Sequence, residues 1–305
     1  MNNAVMYKRK SKARRIYEKV REAAVQIPKE HRGFGKQTFM LAKEDLIKTY
    51  KGALIGPVWA IMKPLFQLFV YWFAFTIGLN QGGRKEQGVL FFTFLMVGFI
   101  PWFFMSEMIS RGSKSIADNR QFVNKVSFPV SVIMTYTSLS KFYVHILLFS
   151  LGYVFLTISG YYPNIYNLQL LIIAPMMFFF FLALLWSIAP MSAFSKDFSN
   201  FINTIMSGLF WLSGVTYDSY QVGSDWIRYV LLFNPITYFS NAYRKALITN
   251  CWLWEAPVYK VHEGHVPQPM HPLWENGFFL IEFAVVIIIG AYNYNRLRKE
   301  LPDVL

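Results

Sequence analysis

Apolar residues fall along this chain in blocks long enough to cross a bilayer, and the polar residues between them gather in short clusters. A helix rises about 1.5 Å per residue and the hydrocarbon layer is about 30 Å thick, so each crossing needs roughly 20 apolar residues. That length selects six segments, near 57–79, 89–110, 137–159, 167–193, 199–217 and 276–294. A further apolar stretch, 225–249, carries Arg228, Asn234, Pro235, Asn241, Arg244 and Lys245, too polar a set for a helix facing lipid. The pattern there predicts a re-entrant pair of short helices, the first begun by Ser224 or Asp225 and the second capped by Asn234 with Pro235 in its first turn.

Ahead of the first span, Phe39, Met40, Lys43, Leu46, Ile47 and Tyr50 recur at helical spacing, while Lys36, Glu44, Asp45 and Lys48 fall largely elsewhere. This spacing predicts an amphipathic helix over 36–51 lying in the membrane interface. Eight Lys or Arg within residues 8–21 predict a solvated arm drawn to anionic lipid. The expected fold is an all-α polytopic membrane protein with three parts: an arm and interfacial helix over 1–56, a transmembrane domain over 57–294 and a tail over 295–305. The segment 218–275 is placed on the outer side.

Composition agrees with the pattern: 54% of the 305 residues are apolar and only 15% charged, against about 25% charged in a soluble domain. Charge then adds orientation. Segments 1–56, 111–128, 194–198 and 295–305 hold 22 Lys and Arg, and the alternating segments 80–88, 160–166 and 218–275 hold 6. Both termini are therefore expected in the cytoplasm. A seventh span at 225–249 would put Arg296, Arg298 and Lys299 outside, against the same rule. Because the formal charge of +13 resides in segments flanking apolar runs, it reflects orientation and predicts no nucleic-acid partner.

The chemistry-bearing residues argue against catalysis in this chain. Glu107 and Glu282 lie near opposite ends of their spans and do not form an acid and base pair. Cys251 is the only cysteine. His262, His265 and His271 share a proline-containing loop, but their spacing does not fit a helical zinc motif, and no metal is expected. No Gly-x-x-x-x-Gly-Lys-Ser/Thr sequence occurs, and Gly33-Phe34-Gly35-Lys36-Gln37 fails in both spacing and final hydroxyl. ATP and Mg are therefore expected only on a separate ATPase, with no cofactor in this chain.

Several blocks carry a resemblance. Tyr50-Lys51-Gly52-Ala53-Leu54-Ile55-Gly56-Pro57-Val58-Trp59 with Lys63-Pro64-Leu65 resembles the start of the first span in polysaccharide and polyol-phosphate exporter permeases of the type-2 ABC superfamily. Gly98-Phe99-Ile100-Pro101-Trp102-Phe103-Phe104 is similar to the second span of that family. Ser113, Ile116, Asn119, Val123, Lys125, Val126, Phe128 and Pro129 are similar to its next segment. Asn234-Pro235-Ile236-Thr237-Tyr238 with Tyr243-Arg244 resembles its re-entrant motif, and Leu297 with Asp303-Val304-Leu305 resembles its tail. Lys196-Asp197 and Ser213-Gly214-Val215-Thr216-Tyr217 depart from commoner forms.

The resemblance implies a homodimer of permeases in a bacterial cytoplasmic membrane, bound to two ATPase copies and moving an undecaprenyl-diphosphate-linked anionic polymer. Within the family the chain looks most like the teichoic acid exporter permeases. The alternatives are a permease for O-antigen or capsular polysaccharide, a membrane-embedded transferase of lipid-linked sugars, and a passive channel or scaffold. On the exporter reading, Ser113–Lys125 is expected to form a coupling helix on the ATPase. Ser113 and Asn119 belong to that segment, Ile116 and Val123 give apolar contacts, and Arg120 and Lys125 orient it. Lys36, Lys43, Lys48 and Lys51 are the expected attractors of the anionic headgroup. Trp59, Phe66, Tyr71 and Trp72 are candidates for a polymer path, since aromatic faces suit stacking against sugar rings.

Overall fold

In a layer without water every backbone N–H and C=O must be bonded within the chain, so each long apolar block closes on itself as a helix. The computed structural model describes residues 12–80, 83–125, 128–255 and 272–301. Its helices are α1 (Lys12–His31), α2 (Gly35–Thr49), α3 (Trp59–Phe73), α4 (Phe91–Gly112), α5 (Ser115–Asp118) and α6 (Arg120–Lys125). They continue with α7 (Val130–Ile158), α8 (Leu170–Phe194), α9 (Lys196–Leu212), α10 (Asp225–Leu232), α11 (Pro235–Arg244) and α12 (Pro272–Leu297). Between α3 and α4 lies a small antiparallel hairpin, β1 (Lys85–Glu86) and β2 (Val89–Leu90), which departs from the all-α expectation. Its turn places Gln87 and Gly88 at positive φ, the backbone that closes a two-residue hairpin.

Among the described residues, five helical segments are long and apolar enough to cross a membrane: Gly56–Gly78, Phe91–Gly112, Val130–Ile158, Ile165–Phe194 and Pro272–Leu297. The expected span at 199–217 is the exception. It is α9, 17 residues ending at Leu212, which makes about 26 Å of helix. Even so, α9 covers most of the bundle's height. Ser199 Oγ lies 3.4 Å from Ser113 Oγ at one end of α4, and Gly214, just past α9, reaches Arg244 beside Phe94 near the other end.

The buried centre is α4, which packs against α7, α8, α9 and α11. Small residues allow the close approaches. Gly98 of α4 faces the Arg244 guanidinium, and Gly290 of α12 lies against the Ala183 carbonyl of α8 with no room for a Cβ.

The end of the bundle that carries α1, α2, α5 and α6 is designated the inner end. There the structure corrects the expectation of a solvated arm over 8–21: residues 12–31 form a helix docked on α12 and α7, while 8–11 lie outside the described residues. The cause is Glu30. Its carboxylate accepts hydrogen bonds from Ser131 Oγ (2.5 Å), Tyr294 OH (2.5 Å), Gln26 Nε2 (3.1 Å) and Arg298 Nη1 (2.8 Å). Asn295 Nδ2 donates to Glu22 Oε2 (3.1 Å) and the His31 ring meets Thr135 Oγ1 (2.8 Å). The first and last described helices therefore share one end of the bundle.

Replacing Gly290 by Ile is expected to force α12 off α8 and to lower stability by about 1–3 kcal/mol. A thermal melt in detergent, read by monodisperse elution, measures it against Gly277→Ile, whose added Cβ meets open space.

Candidate functional site

The crossing segment that contains α3 is the least covered of those in the bundle's first half. Leu65, Phe66, Phe69, Val70 and Phe73 are all exposed, and α3 touches the body mainly along one edge facing α4 and α7. Two contacts hold that edge. Toward the inner end Lys63 Nζ lies 2.6 Å from Glu107 Oε1, and Arg111 Nε lies 3.9 Å from the other oxygen. Higher up, Gln67 Nε2 donates to Tyr71 OH (3.1 Å), and the Tyr71 ring stacks on Phe210 of α9 at 4.9 Å. Phe99, Trp102 and Trp211 complete an aromatic cluster around these two rings.

Beside this cluster, α9 exposes Asn200, Thr204, Ser207 and Gly208 along with Phe201 and Trp211. Polar and small residues on the outside of a helix packed within a membrane bundle are covered by protein or line a wet path. Of the four expected path residues, Tyr71 belongs to the aromatic cluster beside this face. Trp59 and Phe66 lie exposed on α3, and Trp72 turns away toward Phe92, whose ring packs on Phe155 of α7.

At the outer end the segment 225–249 forms two helices and a π-helical turn, Lys245–Thr249. Asn234 caps α11 by accepting from Ile236 N (2.9 Å), with Pro235 at the first helical position. Arg244 is fully buried. Its guanidinium donates to the Gly214 and Val215 carbonyls (2.6 Å to the latter) and sits 3.5 Å from the Phe94 ring centroid. Carbonyl dipoles and a π face thus take the place of water around the charge.

Further polar pairs fasten the same region. Lys245 Nζ lies 3.3 Å from Glu275 Oε2, which also accepts from Tyr220 OH (2.8 Å). Tyr238 stacks on Phe279 at 3.9 Å and donates to Asn276 Oδ1 (3.0 Å). Burial pushes the carboxyls of Glu86 and Asp218 up, against the pull of Arg84 on the first and of the Tyr220 N–H on the second.

At the inner end the expected coupling helix is two short helices, α5 and α6, separated at Asn119, whose side chain donates to Ser115 O (2.8 Å). Ser113 is buried. Ile116 and Val123 are buried in this chain's own core and so are not free for a partner, because the apolar side of the segment packs on the bundle. The outward side carries Lys114, Ala117, Asp118, Arg120 and Gln121; Lys125 closes α6.

On α2, Lys36 and Lys43 alternate with exposed Phe39, Met40 and Ile47, whereas Thr38 and Ala42 are buried and the helix packs on α7. Leu46 and Tyr50, expected on the lipid-facing side, pack partly against the core. Lys48 and Lys51 edge a groove of about 320 Å³ between α2 and the α5–α6 segment.

Among the described residues no group of three or more His, Cys, Asp or Glu could hold a metal ion. His262, His265 and His271 lie outside the described residues, as does the tail motif Asp303-Val304-Leu305.

The polar character of Arg244 within an apolar stretch is legible in the sequence, but what receives it, and what pairs with Lys63, is not. Gly98 was part of a recognised block, and its role as the gap for Arg244 is visible only across 146 positions of chain. The Lys63–Glu107 pair likewise joins two helices whose facing sides no local pattern specifies.

Residues 36–248 match the family model described as ABC-2 type transporter. The chain is similar to the O-antigen export system permease protein RfbA of Myxococcus xanthus, 23% identical over 205 residues that cover 67% of this chain and 77% of that protein. It is also similar to the O-antigen export system permease protein RfbA of Klebsiella pneumoniae, 22% identical over 269 residues, 87% of this chain and 93% of that protein.

Replacing Arg244 by Leu is expected to leave the Gly214 and Val215 carbonyls unpaired and to cost on the order of 3 kcal/mol, with Lys recovering only part because it cannot reach both. Thermal melting of both variants beside the parent checks this.

Proposed function

The chain belongs to the ABC-2 type transporter family, and from that premise we propose that it is the permease of an exporter for a lipid-linked cell-surface glycan. Members of the family are transmembrane subunits that work with an ABC ATPase, so ATP is hydrolysed on the partner. The observation that carries the proposal is the uncovered face of α3 and α9. It sets exposed Asn200, Thr204 and Ser207 beside the Tyr71–Phe210–Trp211 aromatics, in a multi-pass membrane protein where such a face needs cover. A second copy of this chain supplies that cover, and the space between the two copies is the polymer path.

Six crossings follow on this reading, with α9 as the short fifth. The shared end of α1 and α12 and the excess of Lys and Arg there support a cytoplasmic location for both termini. The α10–α11 pair is then re-entrant from the outer side. The exposed Lys114, Arg120 and Gln121 face the ATPase, two copies of which serve the dimer. Lys36 and Lys43, interleaved with exposed Phe39 and Met40, suit a helix lying among anionic headgroups.

The relatives' names favour an O-antigen type of glycan. The teichoic acid reading rests on the blocks quoted from the sequence, and the chemistry of the carried polymer decides between them.

Purification from native membranes in mild detergent is expected to recover an ABC ATPase and a lipid-linked glycan with this chain. Recovery of the folded chain without any ATPase overturns the proposal. Charge reversal at Lys114 and Arg120 together is expected to lower the recovered ATPase about tenfold without shifting the permease's melting temperature. In a Cys251→Ser background, a cysteine placed after Leu301 is expected to react only with reagent supplied from the cytoplasmic side.

A further inference from the structure

On the side of α9 away from Asn200, Thr204 and Ser207, the residues Ile202, Ile205, Leu209 and Leu212 recur every three or four positions as an apolar stripe. That stripe is one wall of a crevice of about 560 Å³. Leu184 and Ile188 of α8 form a second wall, and Trp226, Val230 and Phe233 on the α10 side form a third. The crevice exists because α10 stands off from α8 and α9. It packs mainly on α11 and on the turn Ser219–Gln221, and the Phe233 ring at its end meets Phe278 of α12 at 5.1 Å. Leu212, Trp226, Val230 and Phe233 are all more than half exposed, so the crevice opens on the outside of the bundle.

The chemistry of the walls decides what can fill it. Among the lining residues only Tyr217, Trp226 and Asn234 carry side-chain N or O atoms, and the Asn234 carbonyl oxygen already accepts from Ile236 N. A bound water needs about two to four polar partners, which these walls do not offer. Left empty, the walls would forfeit the dispersion contacts that a packed interior makes. A hydrocarbon chain restores them, and at this depth the bilayer supplies one.

Position and length narrow the source. Of the lining residues, Ile109 lies three positions from the inner end of α4 and Ile202 six from that of α9. From Ile202 to Leu212 the α9 wall is about 15 Å long, half of a hydrocarbon layer about 30 Å thick and so the reach of a chain from one leaflet. The second copy invoked above covers the polar side of α9, opposite the stripe, and leaves this side to lipid.

We propose that the crevice binds one acyl chain of an inner-leaflet phospholipid, which fills the gap between α10 and the wall formed by α8 and α9. The bound chain gives α10 an apolar support that the protein does not provide there, so the setting of the α10–α11 pair depends on lipid. The site requires only that the chain crosses a membrane and goes beyond the exporter reading.

The test uses the full chain with its copurified partner in phosphatidylcholine nanodiscs, doped with a phosphatidylcholine that carries a photoreactive diazirine on one acyl chain. Peptide mapping is expected to find adducts on Leu209 and Ile227 of the crevice about tenfold more often than on Leu280 and Ile281, which α12 exposes to ordinary lipid. Ile205→Trp and Val230→Trp, which fill the crevice from opposite walls, are each expected to lower the crevice adducts about tenfold and to leave those on α12 unchanged. Val285→Trp, on the exposed face of α12, is expected to change neither. In detergent, added phosphatidylcholine is expected to raise the melting temperature of the parent and of Val285→Trp, and to raise that of the two filled variants less. Should a filled variant melt below the lipid-free parent, the adduct ratio of the parent decides.

Equal labelling of the crevice and of α12, labelling unaffected by both filled variants, or cross-links between two copies in place of lipid adducts overturns the proposal. Displacement of the label by polyprenyl phosphate, at a concentration where unlabelled phosphatidylcholine has no effect, also overturns it by giving the crevice to the tail of the carried lipid. A complex that exports polymer without excess labelling of the crevice removes this site and leaves the exporter reading standing. Excess labelling in a chain that recovers no ATPase does the reverse.

Discussion

Polar groups at membrane depth must find partners inside the protein, and that requirement shapes this structure more than apolar packing does. Leu, Phe and Ile are as well solvated by lipid tails as by one another, so they favour a crossing without fixing its neighbours. The buried guanidinium of Arg244 does fix them. By donating to Gly214 and Val215 beside the Phe94 ring, it locks the end of α9, the outer half of α4 and the whole of α11 into one body. Gly98 makes the approach possible because any side chain there would occupy the space of the guanidinium.

The inner end is fastened by the opposite charge. Glu30 gathers Ser131, Tyr294, Gln26 and Arg298, and so joins the N-terminal helix to the starts and ends of two crossings. Between these two anchors, one crossing has neither. Among the described residues, α3 is tied to the body by the Lys63–Glu107 pair, the aromatic cluster at Tyr71 and the Trp72–Phe92 contact, and most of its surface is bare.

Much of this was legible from the order of residues. The positions of five membrane-length helices, the helix pair over 225–249 with Asn234 at its cap, and the uneven distribution of Lys and Arg between alternate segments follow from spacing and composition. Each reflects a rule acting over a few turns of chain: hydrocarbon thickness, capping geometry, the positive-inside bias. Where the sequence reading failed, the cause was tertiary. Residues 8–21 looked like a free basic arm because their net charge is high, yet within the described part Glu22 and Glu30, spaced eight apart, give α1 a docking edge. Ile116 and Val123 looked available to a partner because seven-residue spacing sets a stripe without saying what covers it.

The sequence by itself determined that the chain crosses a membrane several times, which of its segments are helical and which end of the bundle is basic, since those properties depend on each segment's own contact with water or lipid. Only the tertiary structure decided that Arg244 enters the gap at Gly98 and that Glu107 holds Lys63. Such pairings join residues tens to hundreds of positions apart, and apolar helices in lipid carry no local signal that selects one facing side over another.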